Sequence, residues 1–389
     1  IMKLLKKIRT VLSIKYILYI PKKSKVAEFG IGFDKKILNC YFNEDYIEVI
    51  PFIGQKLNFF ILLKCLLCNQ KNNIIDRYYK SYINYINPKI LITKIDNDPY
   101  FYTISKEFKN IKTIAVQNGR RSKSFDIFST IIPNKNYFVD YFFVFGDSIG
   151  EHYSKYIKGK KISIGSFVNN HLSDNYKYRK NKILTNKLEN VFFISSWRPL
   201  HYKIDHYGNK ISQSQIYYAY KLIIIFLNDW CLENNKKLYI NLCTLKNSVN
   251  HYKEVDFYKS LINEGSFSLI PRESRYYSYE LLNNEGIFTF TDSTLGYESL
   301  ARGNKTAFFG VISSLLKLES LNYSWPLKLS DYGPFWCNKL DYEYFSKILE
   351  FLFKVNESEW LDIKSQYIDP VIKYDKKNKK FKKIIREIF

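Results

Sequence analysis

Short apolar runs alternate with longer amphipathic stretches along the chain. In the first half, Tyr46–Phe52, Lys89–Asp96, Lys112–Asn118, Tyr141–Phe145 and Lys161–Ser166 are rich in β-branched and aromatic residues. They end in polar residues or glycine, the pattern of buried strands. The stretches Lys56–Asn69, Asn73–Asn87 and Pro99–Phe108 between them are helix-like. In the second of these, Ile74, Tyr78 and Tyr82 share one side, with Ile75, Tyr79 and Ile83 beside them.

Residues 172–188 are polar and aperiodic, which predicts a linker. The pattern then restarts. Strands are expected at Val191–Ser195, Lys237–Cys243, Ser266–Ile270, Gly286–Thr291 and Thr306–Gly310. Helices are expected at Ser212–Asn234, Tyr277–Asn283 and from Tyr342 onward, the last of them (Asp375–Phe389) strongly basic. Strand–helix alternation means parallel sheets. Residues 1–171 and 189–389 therefore predict an α/β protein of two consecutive parallel units, a pattern that fits two Rossmann-like domains and equally a periplasmic-binding-protein-like architecture. The length agrees, since 389 residues exceed one ordinary core.

The net charge is +23, from 60 basic and 37 acidic residues, and favours anionic partners. Most of the excess is lysine, in a chain also rich in Asn, Ile and Tyr, which an AT-rich genome also produces. No RNP, KH or zinc-finger pattern accompanies the charge, so nucleic acid is not an expected partner. Peripheral contact with an anionic membrane, helped by the basic tail, is expected. No run reaches the roughly 18–20 apolar residues that cross a bilayer. Lys15, Lys22 and Lys23 interrupt the apolar stretch after the basic start, against a secretory signal. The six cysteines are scattered. Cys65 and Cys68 sit in an apolar run with no second pair or nearby histidine to complete a zinc set. The expectations are buried thiols, no metal site and a cytoplasmic location.

The densest chemistry comes after the strand Gly286–Thr291. Asp292 and Ser293 fall at its carboxyl end, where open α/β sheets bind ligands. Ser293 suits the N-cap of a helix Thr294–Arg302, with Gly303 as its stop. Such a helix start offers free N–H groups and a positive dipole end to a phosphate. Gly296 leaves room for a ligand at the backbone. Glu298, one turn after Thr294, suits two ribose hydroxyls. The competing reading is an ordinary capped helix with a surface glutamate. No Gly-x-Gly-x-x-Gly, P-loop or Gly-x-Ser-x-Gly elbow is present.

The run Asp292-Ser293-Thr294-Leu295-Gly296-Tyr297-Glu298, then Ala301-Arg302-Gly303 and a strand, resembles the donor-binding motif of GT-B glycosyltransferases. Further matching pieces are Asp96-Asn97-Asp98-Pro99, Gln117-Asn118-Gly119-Arg120, Phe145-Gly146-Asp147, Ile164-Gly165-Ser166 and Ser195-Ser196-Trp197-Arg198. Taken in order, they make the chain similar to bacterial surface-carbohydrate proteins that build O-antigen or capsule. The resemblance implies two domains facing across a cleft, with C-terminal helices. It also implies donor binding mainly by the second domain, acceptor binding by the first, and no cofactor or strictly required metal.

In that frame Asp96 is the stronger candidate for a general base toward an acceptor hydroxyl. Asp98, just before Pro99, doubles as a helix cap. Gln117, Asn118, Gly119 and Arg120 are expected on the acceptor side of the cleft. Ser195, Ser196 and Arg198 are expected to neutralise a departing phosphate. They join Asp292, Ser293, Thr294, Gly296 and Glu298 on the donor side. The implied function is transfer of a sugar from a nucleotide-sugar donor, CMP-linked acidic sugars included, to a surface glycan or lipid-linked acceptor. Two other readings stay open: a nucleotide-sugar epimerase of the same fold, and a non-catalytic basic protein that binds polyanions or membrane.

Overall fold

The computed structural model describes residues 15–42, 46–53, 56–67, 73–124, 126–132, 135–172, 189–199, 202–204, 210–263 and 265–389. Residues 173–188 of the expected linker, and Cys68, lie outside these.

Two six-stranded sheets organise the chain, and every strand pair within them is parallel. The first sheet runs, in spatial order, Glu48–Ile50, Val26–Phe29, Ile90–Thr93, Lys112–Val116, Tyr137–Val144 and Ile157–Ser163. Val26–Phe29 is absent from the sequence expectations because a carboxylate, Glu28, sits inside it. Glu28 is buried and accepts from the Gly32 and Phe33 amides at 2.7 and 2.8 Å. Burial still pushes its carboxyl above the ordinary value.

Successive apolar residues face opposite sides of this sheet, so its central strands are near-continuous apolar runs, as cover on both faces requires. Phe29, Leu91 and Phe142 join one core with helices Phe59–Leu67, Ile74–Ile86 and Pro99–Ser105. Ile90, Ile92, Ile114 and Phe143 join another with helices Lys35–Asn39, Phe167–Leu172 and Lys379–Ile388. The helix expected from Lys56 begins at Phe59, because Lys56–Asn58 pairs as a short strand with Lys15–Ile17.

The second sheet runs Phe267–Arg272, Lys237–Leu245, Asn190–Ile194, Ile287–Phe290, Thr306–Phe309 and Trp336–Cys337. In chain order this is 3-2-1-4-5-6, the doubly wound arrangement of dinucleotide-binding folds. Helix Gln213–Glu233 opens with a full capping box between Ser212 and Gln215.

The final helix, grouped by sequence with residues 189–389, packs on the first sheet instead. The chain crosses back near Ile368. The Lys373 amide donates to Phe145 O at 2.8 Å, and Tyr374 bridges to Gly165. Phe381 then sits 4.8 Å from the Phe143 ring and 5.0 Å from that of Phe167. Gly146 and Gly165 admit this crossover, because a Cβ would fall 2.3 Å from Val371 O and 1.9 Å from Lys373 O respectively. Among the described residues no helix is long and apolar enough to cross a membrane.

Candidate functional site at the second switch point

Where strand order reverses, neighbouring crossovers leave on opposite faces and a crevice opens at the carboxyl edge. In the second sheet this happens between Asn190–Ile194 and Ile287–Phe290. Their carboxyl ends deliver Ser195-Ser196 and Thr291-Asp292 to one place. A cavity of about 470 Å³ lies there. Ser195, Ser196, Arg198, Asp292, Ser293 and Thr294 line it, so six of the eight donor-side candidates are brought together. Arg272 and Thr244 also line it.

Polar contacts fix its floor. Asp292 Oδ1 accepts from the Ser196 hydroxyl and from Tyr220 OH at 3.2 Å. Burial and Asp292 together raise the Tyr220 phenol well above its ordinary value, so it stays a donor. Ser195 Oγ accepts from Tyr258 OH at 2.8 Å and donates to Glu254 at 2.5 Å. Glu254, fully buried, also accepts from the Cys243 and Thr244 amides at 3.1 and 2.9 Å. Sequence reasoning missed Glu254. The available signal was its place with His251 and Tyr258 on the buried side of helix Val249–Lys259.

Arg198 is exposed, and its carbonyl accepts from Tyr217 OH at 2.6 Å. Arg272 is half-buried and is held by the carbonyls of Cys243, Ser274 and Arg275. Gln213 also lines the cavity and is 4% exposed. Its Oε1 is buried without a donor among the described residues. Such an acceptor costs about 1–3 kcal/mol, and a ligand N–H or O–H would satisfy it.

Gly296 and Glu298 lie elsewhere. A Cβ at Gly296 would sit 2.1 Å from the Phe290 ring, so packing between helix Thr294–Arg302 and its own strand demands the glycine. Glu298 is neither a surface residue nor on the cavity wall. It is 3% exposed, at the seam with the first unit. It accepts from Ser166 Oγ and from Tyr279 OH at 3.1 Å, and its carbonyl accepts from Asn169 at 3.1 Å. Burial pushes its carboxyl up, while Ser166, Tyr279, Arg302 and Lys94 pull it down; the net shift is upward.

Arg120 forms the other clasp of this seam. Its amide donates to Thr294 Oγ1 at 3.1 Å, and Nη2 donates to the carbonyls of Ser320 and Asn322 at 3.0 and 3.2 Å. Its guanidinium lies 5.6 Å from the Tyr297 ring centre. Gly119 faces Thr294, 3.3 Å from where its Cβ would be. Gln117 is buried and ties Phe145 N to Gly119 O.

The base role expected of Asp96 does not fit its surroundings. It is 0% exposed. Arg121 donates to both its oxygens, through Nη2 and through Nε at 2.9 Å. Asn118 N and Tyr153 OH donate to it at 3.0 and 2.9 Å. A carboxylate so enclosed has no lone pair left for an acceptor hydroxyl. Asn118 is exposed, and its side chain accepts from Arg121 at 2.6 Å. Asp98 is half-buried and caps helix Pro99–Ser105, accepting from Tyr100 N at 2.9 Å. Burial raises its carboxyl. Among the described residues no cluster of three His, Cys, Asp or Glu is placed to hold a metal ion.

Known proteins match this architecture. The chain is similar to a glycosyltransferase from Rickettsia africae at 8% identity and a TM-score of 0.50, over 94% of this chain and 98% of that one. It is similar to the wall teichoic acid polymerase TagF at 14% identity and a TM-score of 0.51, over 94% and 89%. It is similar to a UDP-GlcNAc 2-epimerase from Neisseria meningitidis, solved with UDP-GlcNAc, at 12% identity and a TM-score of 0.50, over 93% and 98%. At these identities the likeness is one of fold, and the fold is GT-B: two Rossmann-like domains across a cleft. No curated protein sequence matches the chain. Residues 114–388 match the model of a family described as "putative O-antigen biosynthesis protein". That stretch runs from the first sheet through the whole of the second, and the chain belongs to this O-antigen biosynthesis family.

Proposed function

We propose that the switch-point cavity holds the nucleotide part of a nucleotide-sugar donor, and that the chain transfers the sugar to a surface glycan or lipid-linked acceptor. The supporting observation is the wall itself: two arginines, serine and threonine hydroxyls at a helix start, and the buried amide oxygen of Gln213, which has no donor among the described residues. Arg198, Arg272 and the N–H groups opening helix Thr294–Arg302 neutralise phosphate. Gln213 accepts from the base or ribose.

With Asp96 enclosed, the base role passes to Asp292, the acidic side chain on the cavity wall. Ser196, Tyr220 and Thr291 hold one of its oxygens, and among the described residues the other is left for the acceptor hydroxyl. The acceptor oxygen bonds to the anomeric carbon, and its proton passes to Asp292. The anomeric carbon–phosphate oxygen bond breaks, and the nucleotide leaves with the electron pair. Arginines and helix N–H groups supply the positive charge, so full turnover in excess chelator is the expected result. Glu298 reaches a ribose only when the seam opens and frees it from Ser166 and Tyr279.

Incubation with UDP-, GDP-, dTDP- and CMP-sugars and a glycolipid extract, read by mass spectrometry, tests the reading. One donor class is expected to lose its sugar to an acceptor of correspondingly higher mass. A donor isomerised without any acceptor would make the chain an epimerase instead.

A further inference from the structure

Helix Phe59–Leu67 turns an apolar side to solvent. Phe59, Leu63, Leu66 and Leu67 fall at i, i+4, i+7 and i+8, on one side of the helix. Their exposures are 45%, 46%, 56% and 86%. Ile61 and Cys65, on the opposite side, are in the core. The surface extends beyond the helix. Asn58 Nδ2 holds Tyr19 O at 2.9 Å, setting the exposed Leu18 and Ile20 alongside. Exposed Ile74 and Ile75 open the next helix, whose first carbonyl is 3.8 Å from Cys65 Sγ. Grouped apolar exposure of this kind marks an interaction surface.

Charge selects the partner. Lys15, Lys22, Lys23, Lys56 and Lys64 are exposed on these same segments, and residues 15–25 and 56–67 contain no Asp or Glu. A second copy would set lysine against lysine. An anionic bilayer accepts both features, leucines among the acyl chains and lysines at the headgroups. The basic final helix, by contrast, has charge with Phe389 as its one large exposed apolar side chain among the described residues. Its apolar side chains Phe381 and Ile385 are spent in the core on the other face of the first sheet.

We propose that the outer side of helix Phe59–Leu67, with its lysine border, docks the chain on an anionic bilayer, and that the basic tail does not. Ile74 lies two residues before Asp76, which accepts from Tyr100 OH at 2.7 Å just beyond the Asp98 cap. The surface thus reaches the sheet edge that faces the cleft. The contact stands or falls independently of what the cavity binds.

Co-sedimentation of the full chain with phosphatidylcholine vesicles, with and without phosphatidylglycerol, tests it. Binding is expected only with phosphatidylglycerol. Leu63→Asp combined with Leu67→Asp is expected to weaken it about tenfold or more. Lys380→Glu combined with Lys383→Glu should change it less than about threefold. All four positions are exposed, and thermal melts verify that both variants fold. The proposal is overturned if the wild type ignores phosphatidylglycerol vesicles, if the tail variant rather than the leucine variant loses binding, or if the leucine side proves to seal a dimer in sedimentation velocity.

Discussion

Asp96 and Asp292 both follow a central strand at the carboxyl edge of a parallel sheet, yet their surroundings are opposite. Asp96 is enclosed by Arg121, Tyr153 and the Asn118 amide. Asp292 is half-buried on a cavity wall, with hydroxyl donors on one oxygen. The neighbouring strand makes the difference. In the first sheet the segment after Lys112–Val116 carries Arg121 to the aspartate. In the second, Asn190–Ile194 ends in two serines, too small and uncharged to fill the crevice. A strand end marks where chemistry is possible; the size and charge of the adjacent strand's next residues decide whether it happens.

The largest effect that would sharpen this contrast is Asp96→Asn. It leaves the Arg121 guanidinium, 7% exposed, with a neutral amide in place of its closer carboxylate and only the more distant Asp126, 3.4 Å from Nη1, as a charge partner among the described residues. The expected cost is about 3–5 kcal/mol in urea unfolding. A stable variant that lost only turnover would restore Asp96 as a base. Arg198→Ala probes the open site. Arg198 is exposed, so the melting temperature should hold while nucleotide affinity falls about 10- to 100-fold by calorimetry, the worth of one charge-assisted hydrogen bond.

Gly296→Ala separates packing from ligand approach. The new methyl meets the Phe290 ring, and about 1–3 kcal/mol of stability should be lost. An unchanged melt with lost nucleotide binding would return the glycine to the ligand.

The smallest effect is at the seam. The Glu298 carboxyl is raised, so the folded chain holds that proton more tightly than the unfolded chain. Its contribution is full at low pH. It declines as pH rises through the unfolded carboxyl range, near about 4.3, toward the higher folded value. Wild type should therefore lose melting temperature relative to Glu298→Gln as pH rises through that window. Parallel curves for the two proteins would contradict the seam assignment.

Much of this was legible in the sequence, for physical reasons. Runs such as Val191–Ser195 and Gly286–Thr291 are largely apolar up to their ends because both sheet faces are covered. Their polar ends mark the crevice, which is why Ser195, Ser196, Arg198 and Asp292 meet in one cavity. Val26–Phe29 stayed hidden behind the buried Glu28. The final helix has a readable apolar stripe, but nothing local tells which sheet it covers. Arg120 and Arg121 are adjacent and identical in type; only the fold sends one to the seam and the other beneath Asp96. Glu298 looked like a ribose ligand because helix position gives direction along one element and says nothing of the opposing domain.

The claim that the second switch point is the nucleotide site is tested most directly by saturation-transfer NMR. The full chain would be mixed in turn with UDP-, GDP-, dTDP- and CMP-sugars, and the winning donor repeated with Arg198→Ala and Gln213→Ala combined. One nucleotide class should receive saturation at its base and ribose protons, and the double variant should abolish it at an unchanged melting temperature. Silence from every donor with folded protein, or a signal that persists in the double variant, would contradict it.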